Sequence, residues 1–241
     1  MTWDYSSELS VGPGSVDAVQ SVGSTATVGP VSEAYDWSWL RAGVSEIDMD
    51  TYLAMPEDLS RVIEVKDGLP VHCESLSPNH IAITDAIKQS LREAVRKRDH
   101  GQPCLKASGE LDMLVSEVPF NFRRPDAIVY RCIDDPRDKW KTKPTAADTL
   151  LVVEVVSPAT VTADCVDKRA EYARLGIEQY WIVRMENNDG RVKSIEILRL
   201  NTAGVYVTTE TRFRSHSPIA VAITDPLDVG ITWDALDADL D

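Results

Sequence analysis

No apolar run in this 241-residue chain approaches the 18 residues that a membrane-spanning helix needs. The first basic residue is Arg41, so the N-terminus lacks the charged opening of a secretory signal. Histidine is scarce, and the four cysteines, Cys73, Cys104, Cys132 and Cys165, are scattered without C-x-x-C spacing. No zinc site is therefore indicated. These absences together point to a soluble, cytoplasmic protein with no membrane partner. No internal repeat is visible, so a solenoid is not expected.

Charge is abundant but badly balanced. The formal net charge is −14, which argues against nucleic-acid binding, because such affinity comes largely from basic contacts to phosphates. The imbalance sits at the ends. Residues 1–50 hold eight acids and one base, and residues 221–241 hold six acids and no base. The segment between them carries 25 acids against 24 bases. Residues 1–37, rich in Ser, Gly, Val and Thr, have the composition of a flexible acidic tail. A single domain is expected over residues 38–236, with a short acidic tail at 237–241. The acidic ends are expected to be dispensable for folding and to suppress nucleic-acid binding, so that trimming to about residues 38–225 leaves a folded core.

Glu154 is the one charged residue in the run Leu150-Leu151-Val152-Val153-Glu154-Val155-Val156. Such a run, without polar alternation, predicts a strand buried on both faces, as in a parallel sheet. A carboxylate there costs several kcal/mol unless a metal, a cation or hydrogen bonds compensate it. A site explains it better than folding does. The structural alternatives are a buried Glu paired with Arg or Lys and a Glu at an exposed strand end.

Ser157-Pro158-Ala159-Thr160 stops the strand, since Pro cannot donate to a ladder. A helix is predicted from about Asp164 to Leu175, with Thr162 or Asp164 as N-cap candidates and Gly176 as its stop. Gln179-Tyr180-Trp181-Ile182-Val183 then predicts a second buried strand, completing a βαβ unit. Asp164, Lys168 and Tyr172 share one helix face at four-residue spacing, and a lysine there could reach back toward Glu154. The bland alternative for Lys168 is a surface pair with Asp164. Upstream, Pro125-Asp126 precedes a short β-branched strand, where Pro is tolerated only at the first position. Taken alone, Asp126 reads more simply as a turn residue.

The remaining pattern predicts a mixed sheet flanked by helices. Ile83, Ile87, Leu91 and Val95 recur at four-residue steps across a helix from Ile81 to Arg98. Leu111–Val115 is a strand. Ser194–Leu200 and Gly204–Thr208 alternate as a C-terminal hairpin, whose outer apolar positions suit a homodimer.

Pro125-Asp126, Glu154-Val155-Val156-Ser157-Pro158, Asp164, Lys168, Tyr172, Gly176 and Tyr180-Trp181-Ile182-Val183 resemble the Uma-two family, within the PD-(D/E)XK nuclease superfamily. The resemblance extends over roughly residues 38–236. Met49–Glu57 looks like the family's opening helix, Val62–Gly68 like its glutamate-bearing hairpin, and Ser77-Pro78-Asn79-His80 like the approach to its long helix. The resemblance implies a restriction-endonuclease-like α/β fold and a Mg²⁺-dependent DNA endonuclease, with Mn²⁺ as a substitute ion. Asp126, Glu154 and the Val155 carbonyl would hold the metal, with Glu64 an additional acid beside it. Lys168 would act as the catalytic lysine, supplied from the helix, because Val156 stands at the usual strand position. One departure is plain: Arg184 replaces an Asp that usually follows the second strand. It supports the competing reading, a catalytically silent nuclease-fold domain that only binds or scaffolds.

Such chemistry needs these residue types. Hard carboxylate oxygens suit Mg²⁺, which keeps several waters, and a lysine ammonium stabilises charge that develops during phosphodiester cleavage. The two carboxylates are expected at the sheet's edge, open to solvent. DNA contacts are expected from Arg124, Lys139, Lys141 and Lys143, the last three in the Arg137–Lys143 run around Trp140. Arg92, Arg96, Lys97 and Arg98 form another basic cluster. For any single cluster a solvated charged face is the simpler interpretation.

Overall fold

A computed structural model describes residues 46–73, 75–99, 101–156 and 163–240. In chain order these form helices α1 (Met49–Ala54) and α2 (Glu57–Ser60), the hairpin β1 (Ile63–Lys66) and β2 (Leu69–His72), and the long helix α3 (Pro78–Arg96). Strands β3 (Leu105–Ser108), β4 (Met113–Ser116), β5 (Asn121–Arg123), β6 (Ala127–Arg131) and β7 (Thr149–Val156) follow. A π-helical segment, Ala163–Lys168, leads into α4 (Arg169–Arg174). The chain continues with β8 (Gln179–Met185), β9 (Val192–Leu200), β10 (Tyr206–Phe213), β11 (Val221–Ile223), β12 (Val229–Ile231) and α5 (Trp233–Asp237).

The run around Glu154 forms β7, and all eight of its residues are buried. It lies inside a six-stranded sheet of order β10-β9-β8-β7-β6-β3. Only the β7–β8 pair is parallel, with Leu151 opposite Gln179 and Glu154 opposite Ile182. The other neighbours are antiparallel. This is the expected mixed sheet, and β9–β10 is the expected hairpin.

Two cores sandwich this sheet. One face carries Val153, Val155, Trp181, Val183 and Ile195 against Ile83, Ile87 and Leu91 of α3, with β11, β12 and α5 closing the layer. Each fully buried aliphatic side chain contributes about 1.5–3 kcal/mol, which is why the four-residue apolar step fixes the buried face of α3. That helix starts earlier than its periodicity alone predicts. Ser77 accepts from His80 N as N-cap, and Pro78 sits in the first turn, where its missing N–H is no loss. The opposite face joins Val152, Val156, Tyr180 and Ile182 to Tyr172 and Ile177. Alternation along β7 puts Glu154 on this second face.

A smaller sheet, β2-β1-β5-β4, stands beside the large one. Its core stacks Tyr52, Phe120, Phe122 and Trp140, with ring centroids 4.5–6.3 Å apart. Trp140 is 3 % exposed and donates to the Pro144 carbonyl, so it is a core residue rather than a platform for bases.

Three expectations need correction. Residues 226–237 are built into the core rather than forming a free acidic end: Leu227, Val229, Ile231, Trp233 and Leu236 are buried, and Arg214 donates to both oxygens of Asp237 at 2.6 and 2.7 Å. The cysteines are not all scattered thiols, since Cys104 and Cys132 form a disulfide across β3 and β6. That pairing withdraws the cysteine part of the argument for a reducing compartment. The helix after β7 opens with a π segment instead of a capped α turn, and α proper begins at Arg169. The Ser157–Thr160 stop, the Thr162 cap candidate and the 1–37 tail lie outside the described residues. Among the described residues, no helix is long and apolar enough to cross a membrane.

Candidate active site

The site is built on the ends of β6 and β7. Ala127 pairs with Val153, and one step further that register sets Asp126 opposite Glu154. Glu154 is 4 % exposed, not solvent-open at a sheet edge as expected, because β7 is a central strand covered on both faces. Its charge is compensated from the helix that follows. Tyr172 Oη donates to Glu154 Oε1 at 2.7 Å, and Lys168 Nζ lies 3.1 Å from Oε2. Lys168 ends the π segment and Tyr172 sits four residues later in α4, so the predicted shared face does point two groups at one carboxylate. Burial first, then the charges of Glu154 and Glu64, pushes the Tyr172 hydroxyl well above the ordinary tyrosine range.

Asp126 is anchored from the other helix. Its Oδ2 accepts from Val155 N at 2.6 Å, and its Oδ1 lies 3.0 Å from His80 Nε2. The His80 side chain is 10 % exposed and that of Asp126 13 %. Two acids adjacent along the ladder are thus steadied from opposite sides of the sheet, Asp126 by α3 and Glu154 by α4.

Glu64 belongs to β1 in the smaller sheet. Its Oε1 accepts from Arg124 N at 2.8 Å and its Oε2 from Arg123 at 3.1 Å. Arg123 also donates to Glu171 at 2.8 Å. Burial opposes that guanidinium's charge, but the Glu171 hydrogen bond and the fields of Glu64 and Glu171 outweigh it and push its pKa up. Among the described residues, no group of three or more His, Cys, Asp or Glu side chains is arranged to hold a metal. Glu64 therefore does not join Asp126 and Glu154 in a three-acid cluster. Through Arg123 it is linked to Glu171, the neighbour of Tyr172.

The model of the Uma2 family, described as "Putative restriction endonuclease", matches residues 49–232. The chain belongs to the Uma2 family. A solved structure of a "putative nuclease belonging to DUF820" from Anabaena variabilis is similar, with a TM-score of 0.56 and 16 % identity over 80 % of this chain and 98 % of that one. At that identity the likeness shows a shared fold. None of the curated proteins matches. The family's description and the neighbour's title both name nucleases.

The cations expected to touch DNA divide in two. Arg124 donates to Asp112, to the Ser60 and Arg61 carbonyls and to Tyr52. Lys143 reaches the same Asp112 at 2.6 Å, 4.9 Å above the Trp140 ring. Both hold the small sheet together. Burial would raise the Asp112 pKa, but Arg124 and Lys143 overcome it and hold the carboxyl below its usual range. Lys139 is exposed and pairs with Asp50 at 2.6 Å; Lys141 is exposed too. Arg184, the departure from the Uma2 pattern, lies 2.6 Å from Glu196 on the neighbouring strand β9. The cross-strand acid accounts for a base at that position.

His80 was missed as a site residue. Its only sequence signal is its place in the first turn of α3, two residues after Pro78, and nothing local marks which strand end that turn will face.

Proposed function

We propose that this Uma2 protein is a Mg²⁺-dependent DNA endonuclease whose lysine is delivered from a helix. The observation that carries this reading is the Lys168–Glu154 contact of 3.1 Å, which brings an ammonium to a carboxylate buried in the central strand. The donor set fits the ion. Asp126 and Glu154 offer hard oxygens at neighbouring ladder positions, each with two lone pairs, and the Val155 carbonyl is a third. So few protein ligands suit Mg²⁺ better than Ca²⁺ or Zn²⁺, since Mg²⁺ retains several waters; Mn²⁺ would substitute.

When bound, the metal supplies neutralisation of the scissile phosphate and a more acidic water. The chain does the rest. Lys168 holds positive charge beside the attacking oxygen and the phosphate oxygens. Tyr172 and Lys168 hold Glu154 in place, and His80 and the Val155 N–H do the same for Asp126. Pre-set carboxylates need no reorganisation when the ion arrives. Lys139 and Lys141 stay in the proposal as DNA contacts; Arg124 and Lys143 support the scaffold.

Nicking of supercoiled plasmid tests the reading. The wild-type chain should nick only with Mg²⁺ or Mn²⁺, and Asp126→Asn and Glu154→Gln should each abolish nicking. Mg²⁺ should raise the melting temperature of the wild type and leave Asp126→Asn unmoved. A chain that is not stabilised by the ion and never nicks would instead be the silent nuclease-fold domain.

A further inference from the structure

Two hollows follow one another between α3 and the chain segment 105–110. The first, about 250 Å³, is lined by Thr84, Asp85 and Lys88 of α3 and by Gly109 and Glu110. It abuts the candidate site, because a Cβ placed on Gly109 would stand 2.8 Å from the Asp126 carbonyl oxygen. The second, about 340 Å³, continues along the helix and is lined by Arg92, Arg96 and Lys106 over Tyr130. The three cations are exposed, and Arg92 is steadied by donating to the Ala107 carbonyl at 3.2 Å.

Their pairing state differs from that of the cations around the candidate site and the small sheet. Arg123, Arg124, Lys139, Lys143 and Lys168 all have a carboxylate within ion-pair distance. Among the described residues, none of the ion pairs involves Arg92, Arg96 or Lys106. In a chain of net charge −14, three unneutralised cations converging on one groove form an anion site by elementary electrostatics. Arg92 and Arg96, one turn apart on α3, face Lys106 on β3 across an exposed hollow, which suits a polyanion rather than a small ligand. Asp85 and Glu110 make the first hollow unsuited to phosphate, so the contacts belong to the second.

Resting on the nuclease reading above, we infer that the second hollow, between α3 and β3, holds a nucleic-acid backbone, with phosphates on Arg92, Arg96 and Lys106. From His80 to Arg96 the helix rises about 24 Å at 1.5 Å per residue, or roughly seven nucleotides at 3.4 Å each. The main backbone contact is thereby moved away from the Arg137–Lys143 loop.

The test measures binding of labelled DNA oligonucleotides to the full chain in EDTA across a salt series. It compares Arg92→Gln/Arg96→Gln/Lys106→Gln with a control of equal charge loss, Arg174→Gln/Arg191→Gln/Lys193→Gln. The groove variant should weaken binding by about tenfold or more near 0.1 M salt. It should also flatten the log–log salt slope by roughly two to three, at 0.7–0.9 per phosphate contact, while the control keeps the wild-type slope. Equal effects of the two variants would mean that only net charge matters and would overturn the groove, as would no effect of either, or a wild-type chain that binds no DNA. Wild-type binding that depends on the groove, without nicking under Mg²⁺, would support the groove while the cleavage reading fails.

Discussion

Replacing Lys168 with Met separates a catalytic lysine from a surface charge, and the structure makes the expected cost specific. Glu154 is 4 % exposed and has Lys168 3.1 Å away. Removing one partner of a buried ion pair costs about 3–5 kcal/mol. The Lys168 side chain is 18 % exposed, and the Tyr172 hydrogen bond to Glu154 survives the change, so a loss of about 2–3 kcal/mol is expected. At about 2–4 °C per kcal/mol for a domain of this size, the melting temperature should fall by about 4–12 °C. A surface pair with Asp164 would be worth only about 0.3–0.5 kcal/mol, or roughly 1–2 °C. Differential scanning calorimetry resolves the two. Adding Glu154→Gln should restore most of the stability, because a neutral amide leaves no buried charge unpaired and still accepts from Tyr172. Nicking, assayed well below the melting temperature, should fall by orders of magnitude in Lys168→Met. A melting point within about 1 °C of wild type would refute the contact, and full nicking activity would refute the role.

Three further outcomes follow from other parts of the molecule. His80→Ala, which removes a partner of Asp126 rather than a ligand, should raise the Mg²⁺ concentration for half-maximal nicking by about 10–100-fold, with little change at saturating ion. Asp112 is held below its ordinary carboxylate pKa, so its stabilisation is fully present above about pH 4 and is lost as pH falls through the lower, folded value. Asp112→Asn should cost about 3–5 kcal/mol at neutral pH and flatten the acid limb of a plot of stability against pH. Truncation after Asp225 should abolish cooperative unfolding in calorimetry, since it removes the buried Val229, Ile231, Trp233 and Leu236.

The large sheet was legible because its rules are local. A run of buried branched residues predicts β7, a four-residue apolar step predicts the buried side of α3, and a strand–helix–strand segment of that length predicts the parallel β7–β8 pair. The small sheet was less so. Asn121–Arg123 is a three-residue strand with too few positions for alternation to register, and the buried Asp112 that ties it to Arg124 and Lys143 reads only as a polar member of the predicted Leu111–Val115 strand. Pairing of Cys104 with Cys132 likewise depends on the β3–β6 register, which no spacing in the chain announces.

The candidate site divides along the same line. Glu154 stood out because a carboxylate in an apolar strand must be compensated, and Lys168 followed because a helix leaving that strand returns its i and i+4 positions to one place. The π segment alters the local winding without moving both side chains off the carboxylate. His80 and Glu64 come from elements far apart in sequence, and their relation to Asp126 and Tyr172 exists only after the two sheets and α3 have packed. The DNA-contacting cations show the sharper limit. Arg124 and Lys143 were as basic, and as well placed in sequence, as Arg92 and Lys106. What distinguishes them is a single buried carboxylate, Asp112, that satisfies two cations at once. Whether a lysine or arginine here serves the fold or a ligand depends on its nearest acid in space, and that neighbour is set by packing rather than by sequence spacing.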